Sequence, residues 1–209
     1  MGDPTTDFVA MLDLEPHGPD VWVGTGPRYP WGGLYGGQIV AQALRAAAHT
    51  VEPQYRIHSL HAYFIRRGDH TEPVRYEVDR VRNGASFVTR RVVARQSYGA
   101  ILTLEASFHA PEDGPAVQTV RAPDGVPDPD ELPEDGWGWM LERRNVPEVH
   151  GSGRVLTWVR VDASVGEDAV MQQCALALAS DTSAVAAVRA RVLRTRPRRT
   201  QPMAVIESE

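Results

Sequence analysis

Residues 36–51 read GGQIVAQALRAAAHTV and give the clearest helix signal in this chain of 209 residues. From residue 38 onward, polar side chains recur every three or four positions and form one narrow stripe. They are Gln38, Gln42, Arg45 and His49. Apolar residues cover the rest of the circumference, and a helix of that kind is buried. The pattern therefore predicts a buried helix over 38–51, with alanines that let a sheet approach closely.

The residues after this helix change to the period of about two that is typical of strands. Residues 57–65 are apolar on both faces and predict a central strand, whereas residues 74–82 alternate between apolar and charged. Asn83-Gly84 predicts a two-residue hairpin turn into a strand over 86–96. A further strand has an apolar face made of Leu102, Leu104, Ala106 and Phe108.

These strands, together with a short one at 21–23, predict an antiparallel sheet with an apolar face that needs a cover. The long apolar helix is the nearby element that can supply this cover. A sheet wrapped around one helix is the α+β arrangement called the hot-dog fold. We assign it to an N-terminal domain over residues 1–110.

The rest of the chain predicts an incomplete second copy of this arrangement. Residues 111–136 are rich in proline, glycine and acidic residues and predict an extended linker. Residues 137–185 then supply one strand over 154–161 and one apolar helix over 169–179, without the further strands. An arginine-rich tail over 186–209 is expected to be disordered. We therefore expect a shortened second unit, whose uncovered helix favours homo-oligomers.

The net charge of -5 and the pI near 5.8 argue against nucleic acid as a partner, because nucleic-acid-binding domains are usually basic. No apolar run reaches the length needed to span a bilayer, and the first residues lack the order of a secretory signal. The single cysteine, Cys174, cannot form an internal disulfide, which fits a reducing cytoplasm. We expect a cytoplasmic protein without a membrane span.

Five motifs, in the same order along the chain, resemble those of the acyl-CoA thioesterase II family. They lie at 36–44, at 58–64 with 66–69, at 86–92, at 106–108, and at 158–160 with 177–181. Members of that family are double hot-dog proteins, so the resemblance implies hydrolysis of a fatty acyl-CoA substrate to free fatty acid and CoA. Two departures from the family pattern are Arg67, where the family usually has proline, and His109, where it often has glutamine.

The resemblance also implies a catalytic trio in the second unit, an Asp, a Thr or Ser, and a Gln that together position a water. Asp181 matches the Asp. No residue matches the other two, since the strand motif that carries the Thr or Ser is absent and Gln201 stands in the wrong context. Two alternatives to the thioesterase therefore stay open, a non-catalytic protein that binds acyl-CoA or lipid and an inactive remnant. A hot-dog dehydratase or hydratase would need a His/Asp pair in a hydratase-type loop, which the sequence lacks.

Thioester hydrolysis needs an activated water and donors for the developing oxyanion. The sequence has no Gly-x-Ser-x-Gly elbow for a serine nucleophile, which leaves a carboxylate that orients water. Asp181, at the end of the second apolar helix, is the candidate catalytic residue, and its alternative is an ordinary helix-end aspartate. Gly36, Gly37 and Gln38 are candidate substrate-binding residues, because a helix N-terminus presents free N–H groups and a positive dipole end. Alternatively, the glycines only let the helix enter under the sheet.

His58 is a further candidate for substrate binding, and its alternative is a satisfied core or interface histidine. His58 and His61 lie three apart on a predicted strand and project to opposite faces, so we expect no metal site and no cofactor. Cys174 is interpreted as a packed small hydrophobic residue rather than a nucleophile. Four arginines could bind CoA phosphates or simply lie exposed on strands: Arg66, Arg67, Arg90 and Arg91.

Overall fold

The computed structural model describes residues 7–115, 117–121, 123–135, 140–147, 155–161 and 165–182. The α-helices in this part of the chain are α1 (Phe8–Met11), α2 (Gly36–Ala48) and α3 (Ala169–Ser180), and a short 3-10 helix covers Pro129–Glu131. The strands are β1 (Glu15–Pro16), β2 (Val21–Gly24), β3 (Arg56–Phe64), β4 (Val74–Asn83), β5 (Phe87–Gln96), β6 (Gly99–His109), β7 (Leu141–Asn145) and β8 (Thr157–Val161).

Strands β1 to β6 form one antiparallel sheet in the order β1-β2-β4-β5-β6-β3, and β7 and β8 form a separate pair. The sheet packs on α2, whose apolar residues are buried together with the predicted inner face of β6. That inner face consists of Leu102, Leu104, Ala106 and Phe108, each at most 1% exposed. The predicted hot-dog arrangement of the N-terminal region is therefore confirmed.

The polar stripe of α2 is partly buried, because two of its glutamines face the protein interior. Gln38 and Gln42 have no exposed surface. The Tyr76 hydroxyl donates to Gln42 Oε1 at 2.7 Å, and the Gln42 amide donates to the carbonyls of Met11 at 2.8 Å and Thr25 at 2.7 Å. Since a buried amide needs partners, these bonds tie the N-terminal segment to α2.

Strand β3 lies at the edge of the sheet and pairs with β6 on one side, so the predicted central position is wrong. Tyr63 and Phe64 of this strand are 64% and 53% exposed. The strand therefore has apolar residues on both faces without being buried on both faces. On the open side, the Gln173 amide of α3 pairs with the backbone of Ile57. Gln173 Nε2 donates to Ile57 O at 2.6 Å, and Gln173 Oε1 accepts from Ile57 N at 3.3 Å.

The hairpin between β4 and β5 is present, but the predicted two-residue turn is wrong. Residues 84–86 connect the strands, and Gly84 N–H donates to Phe87 O at 3.0 Å. The tight turn favoured by an Asn-Gly pair needs positive φ at both residues, and neither Asn83 nor Gly84 has it. An irregularity in the β4–β5 register between Asp79 and Arg82 accompanies the longer turn.

The region after the linker differs from expectation in two ways. Sequence analysis missed β7, which pairs antiparallel with β8. Helix α3 packs against α2 and buries side chains that include Met171, Cys174 and Leu178, so the expected uncovered surface is wrong for this face. Its opposite stripe is exposed and consists of Gln172, Leu176 and Ser180.

The predicted tail over 186–209 lies outside the described residues, and the domain boundaries remain predictions. None of the described helices is both long enough and apolar enough to cross a membrane.

Candidate active site

The candidate catalytic Asp181 lies where the end of α3 meets the beginning of α2. It is the C-cap residue of α3, and its Oδ2 accepts a hydrogen bond from Gly37 N–H at 3.1 Å. The N-cap residue of α2, Tyr35, forms no side-chain capping bond of its own. Instead its hydroxyl donates to the Leu178 carbonyl at 2.8 Å. A carboxylate from a distant helix therefore caps α2, at the end where the helix dipole favours negative charge.

The glycine pair at the start of α2 makes this meeting possible. A Cβ at Gly37 would lie 2.2 Å from the backbone carbonyl of Leu178, and a Cβ at Gly36 would lie 2.5 Å from Asp181 Oδ2. Neither position has room for a larger residue without movement. The close approach that the glycines allow is to α3 and Asp181, and at Gly36 it is also to the sheet, because a Cβ there would lie 2.9 Å from Cε1 of Phe64 in β3.

A cavity of about 430 Å³ opens beside this junction. Its lining includes Gly36, the buried side chain of Ile39 and the half-buried Asp181. The exposed Arg66 and Arg67 line it as well. The remaining lining residues are Leu34, Phe64, Ile65 and Gly68. The site thus combines one carboxylate, the first turn of a helix and an apolar wall.

Burial raises the pKa of Asp181 above its ordinary value of 3.8, and the hydrogen bond from Gly37 opposes this rise. Burial, with a smaller contribution from Asp181, also raises the pKa of Tyr35. A carboxylate whose pKa is shifted towards neutral pH is a better proton acceptor than an ordinary aspartate. The environment of Asp181 therefore suits a group that takes a proton from water.

Of the four predicted substrate-binding residues, Gly36 lines this cavity, whereas Gly37, Gln38 and His58 do not. The Gln38 side chain is fully buried; its amide donates to Gln42 at 3.3 Å, and its Oε1 has no hydrogen-bond partner among the described atoms. Gln38 belongs to the first turn of α2, and its side chain is buried in the protein interior. His58 interrupts the register between β3 and β6, lies exposed, and bonds to Ser107 Oγ at 2.9 Å. At about 3.3 Å per residue, it is roughly 20 Å along β3 from Phe64.

Of the four arginines that could have met phosphate, only Arg66 and Arg67 reach the cavity. Arg90 is 2% exposed and bonds to neutral acceptors around the end of α2. Arg91 forms an ion pair with Glu105 at 3.2 Å on the exposed side of the sheet. Strand alternation places Arg90 and Arg91 on opposite faces of β5, but the sequence does not show which of the four arginines meet the cavity.

Cys174 lies away from this cavity, within the packed face of α3. It is fully buried, and burial raises the pKa of its thiol to about 12. Since the thiolate is the nucleophilic form of cysteine, the packing role fits this environment. No group of His, Cys, Asp and Glu side chains in the described ranges is arranged to hold a metal ion.

The sequence of this chain is similar to those of known acyl-CoA thioesterases. A family model described as the acyl-CoA thioesterase N-terminal domain matches residues 25–109. Human acyl-coenzyme A thioesterase 8 is 42% identical over 136 residues, which are 63% of this chain and 42% of that protein. Acyl-CoA thioesterase 2 of Haemophilus influenzae is 34% identical over 128 residues, 61% of this chain and 45% of that protein. The chain thus spans less than half the length of these curated relatives.

Two solved structures cover more of the molecule. The tesB protein of Mycobacterium avium subs paratuberculosis is 32% identical with a TM-score of 0.79, and the match covers 90% of this chain and 73% of that one. Acyl-CoA thioesterase II TesB2 from Mycobacterium marinum is 32% identical with a TM-score of 0.72, covering 89% and 71%. The sheet, its central helix and these likenesses define a hot-dog protein. The chain belongs to the acyl-CoA thioesterase II family.

Proposed function

We propose that this chain hydrolyses fatty acyl-CoA to a free fatty acid and CoA, with Asp181 orienting the attacking water. The observation that carries the proposal is the placement of Asp181 against the first turn of α2, in a cavity with an apolar wall. The family to which the chain belongs supports the substrate class, because its named relatives are acyl-CoA thioesterases.

In the proposed reaction, a water donates one hydrogen bond to Asp181 and attacks the thioester carbonyl carbon. Asp181 Oδ2 is engaged by Gly37, and Oδ1 accepts no hydrogen bond from the described residues, so Oδ1 is the oxygen that holds the water. Asp181 takes a proton from the water as the new C–O bond forms. The C–S bond then breaks, and the CoA thiolate leaves as the thiol after receiving that proton.

The developing negative charge on the carbonyl oxygen needs donors that Asp181 does not already use. The N–H of Gly37 is engaged by Asp181, so the first-turn N–H of Gly36, which lines the cavity, is the donor for the oxyanion. Preorganised N–H groups at a helix N-terminus stabilise such charge without rearranging. Gly36 and Gly37 thus act through their backbones, whereas Gln38 and His58 do not line this cavity.

The deciding experiment is a hydrolysis assay with acyl-CoAs of several chain lengths on the native protein and on Asp181→Asn. We expect the substitution to lower kcat about 10²–10⁴-fold, the usual contribution of a general base. Asp168→Asn is the matched control. Asp168 caps the other end of α3 by accepting from Val170 N at 2.9 Å, and asparagine caps a helix equally well, so its kcat should stay native.

The outcomes separate the candidate functions. Turnover that survives Asp181→Asn would remove this residue from the mechanism. A native protein that binds acyl-CoA without hydrolysing it would instead be the non-catalytic binding protein.

We also propose that the chain acts in the cytoplasm, in fatty acid metabolism, as a homo-oligomer joined through the open edge of β3. An edge strand with free backbone groups is a template for pairing with another chain. Two apolar side chains of β3 are also exposed, Leu60 to 37% and Tyr63 to 64%. A net charge of -5 supports the absence of a nucleic-acid partner. Sedimentation equilibrium of Tyr63→Lys should give a smaller species than the native chain. An unchanged mass would exclude this edge as the interface.

A further inference from the structure

The cavity beside Asp181 is lined by side chains of three kinds. They are the apolar Leu34, Ile39, Phe64 and Ile65, the Asp181 carboxylate, and the exposed guanidinium groups of Arg66 and Arg67. Apolar surface suits an acyl chain, and a pair of cations suits an anion. The cavity is therefore shaped for a ligand with both parts.

The charges of Arg66 and Arg67 are not neutralised by the part of the chain that the structure describes. Arg66 Nη1 donates to the Ala100 carbonyl at 2.7 Å, and Arg67 Nη2 donates to the Trp31 carbonyl. Both acceptors are neutral. The ion pairs among the described residues involve other arginines, namely Arg75, Arg80, Arg91, Arg95, Arg143, Arg144 and Arg160.

Both guanidinium groups are held in place while keeping donors to spare. A guanidinium has five N–H donors, and among the described residues each of these arginines donates one hydrogen bond, to a backbone carbonyl. Glycines make room for both groups. A Cβ at Gly33 would lie 2.5 Å from Arg67 Nε, and a Cβ at Gly99 would lie 3.3 Å from Arg66 Nη1. An anchored guanidinium loses less conformational freedom when it binds an anion.

We propose that Arg66 and Arg67 form a phosphate-binding subsite that takes a phosphate group of the CoA arm while the thioester lies at Asp181. This subsite rests on the proposed thioesterase function for its substrate. The phosphates of CoA are separated from the sulfur by a long arm and are strongly hydrated, which suits the exposed guanidinium groups of Arg66 and Arg67.

Matched substrates test the proposal. One is an acyl-CoA, and the other is the thioester of the same acid with pantetheine, which lacks every phosphate. For Arg66→Gln and Arg67→Gln we expect KM for acyl-CoA to rise about tenfold or more, the scale of a charge-assisted hydrogen bond, with kcat retained. KM for the acyl-pantetheine should stay native. Arg91→Gln, which removes the same charge from the far side of the sheet, should change neither value.

Three results would overturn the phosphate subsite. The first is an unchanged KM for acyl-CoA in the arginine variants, and the second is an equal rise in KM for acyl-CoA and acyl-pantetheine. The third uses a further substrate, an acyl-pantetheine with a carboxylate at the far end of its acyl chain, and is a rise in KM for that substrate alone. The last result would place the bound anion on the acyl group instead.

Titration calorimetry with CoA itself separates this proposal from the proposed function, because it needs no turnover. CoA binding that weakens about tenfold in both arginine variants, in a protein without hydrolysis, would support the subsite and refute the thioesterase. The opposite outcome is hydrolysis that depends on Asp181 while CoA binding is absent or is unchanged in both arginine variants. It would support the thioesterase and refute the subsite.

Discussion

The two ends of α2 carry opposite charges for different purposes. At the N-terminal end, the Asp181 carboxylate accepts one hydrogen bond and lines a cavity. At the C-terminal end, the Arg90 guanidinium is 2% exposed. Its five bonds go to Thr50 Oγ1, Thr50 O, Arg82 O, Thr89 O and Asn83 Oδ1, at 2.6–2.9 Å.

Both charges have the sign that the helix dipole favours at their end. What distinguishes them is hydrogen-bonding capacity. Arg90 has used every donor that a guanidinium possesses, so it can only hold structure together, whereas Asp181 retains capacity for a ligand. Chemistry is therefore expected at the N-terminal end, and stability should depend more on the C-terminal end.

The largest effect on stability should come from Arg90→Leu. Removing the guanidinium leaves several buried acceptors without partners, and we expect a loss of about 3 kcal/mol in the free energy of unfolding. The measurement is urea denaturation. Arg91→Leu, at an exposed ion pair with Glu105, should cost less than about 1 kcal/mol. Equal losses in the two variants would contradict the structural role of Arg90.

Gly37→Ala should have the next largest effect, because its methyl group would collide with the Leu178 backbone carbonyl, which cannot turn away like a side chain. Overpacking of this kind costs about 1–3 kcal/mol, and it should also lower the hydrolysis rate by displacing Asp181. Thermal unfolding measures the first effect. Gly114→Ala, where a Cβ meets nothing within 4 Å, is the control and should unfold at the native temperature.

The smallest effect is the pH dependence of stability at Asp181. Its pKa in the folded protein is raised above 3.8 by burial, so the folded state binds the proton more tightly than the unfolded state. The resulting stabilisation is complete below pH 3.8 and is lost as pH rises through the folded pKa. Compared with the native protein, Asp181→Asn should therefore gain relative stability between acidic and neutral pH. A constant difference across this range would mean that burial does not shift the pKa.

The same raised pKa predicts the direction of the activity profile. Since only the ionised carboxylate accepts a proton from water, kcat/KM should fall as pH drops through the folded pKa of Asp181.

The sequence predicted those parts of the fold that depend on local periodicity. The buried α2 and the alternating faces of β4 and β6 follow from spacing within each segment. The edge position of β3 does not, because strand order is a property of the whole sheet. β7 was missed because its Glu142, Arg143 and Arg144 give it no apolar alternation; ion pairs such as Glu142 with Arg144 accompany it instead.

The candidate site was predictable only residue by residue. Motifs pointed to Asp181 and to the glycine pair, but nothing in the sequence showed that Asp181 and Gly37, 144 positions apart, touch each other. The arginines illustrate the same limit. Arg90 and Arg91 are neighbours in β5, and their alternation sends one side chain to the buried end of α2 and the other to the exposed sheet face.

The long separation between Asp181 and Gly37 also bears on the order of folding. The contacts of α3 with the first unit close loops of 144 residues at Gly37 and 116 residues at Ile57, whereas the sheet forms largely through hairpins between successive strands. Contacts across long loops are entropically costly and form late. Amide hydrogens of α3 should thus exchange with solvent faster than those of α2, through openings that leave the sheet intact. Part of the protein molecules would then be folded but without an assembled site. The docking of α3 onto α2 would thus set the fraction of molecules in which Asp181 contacts Gly37.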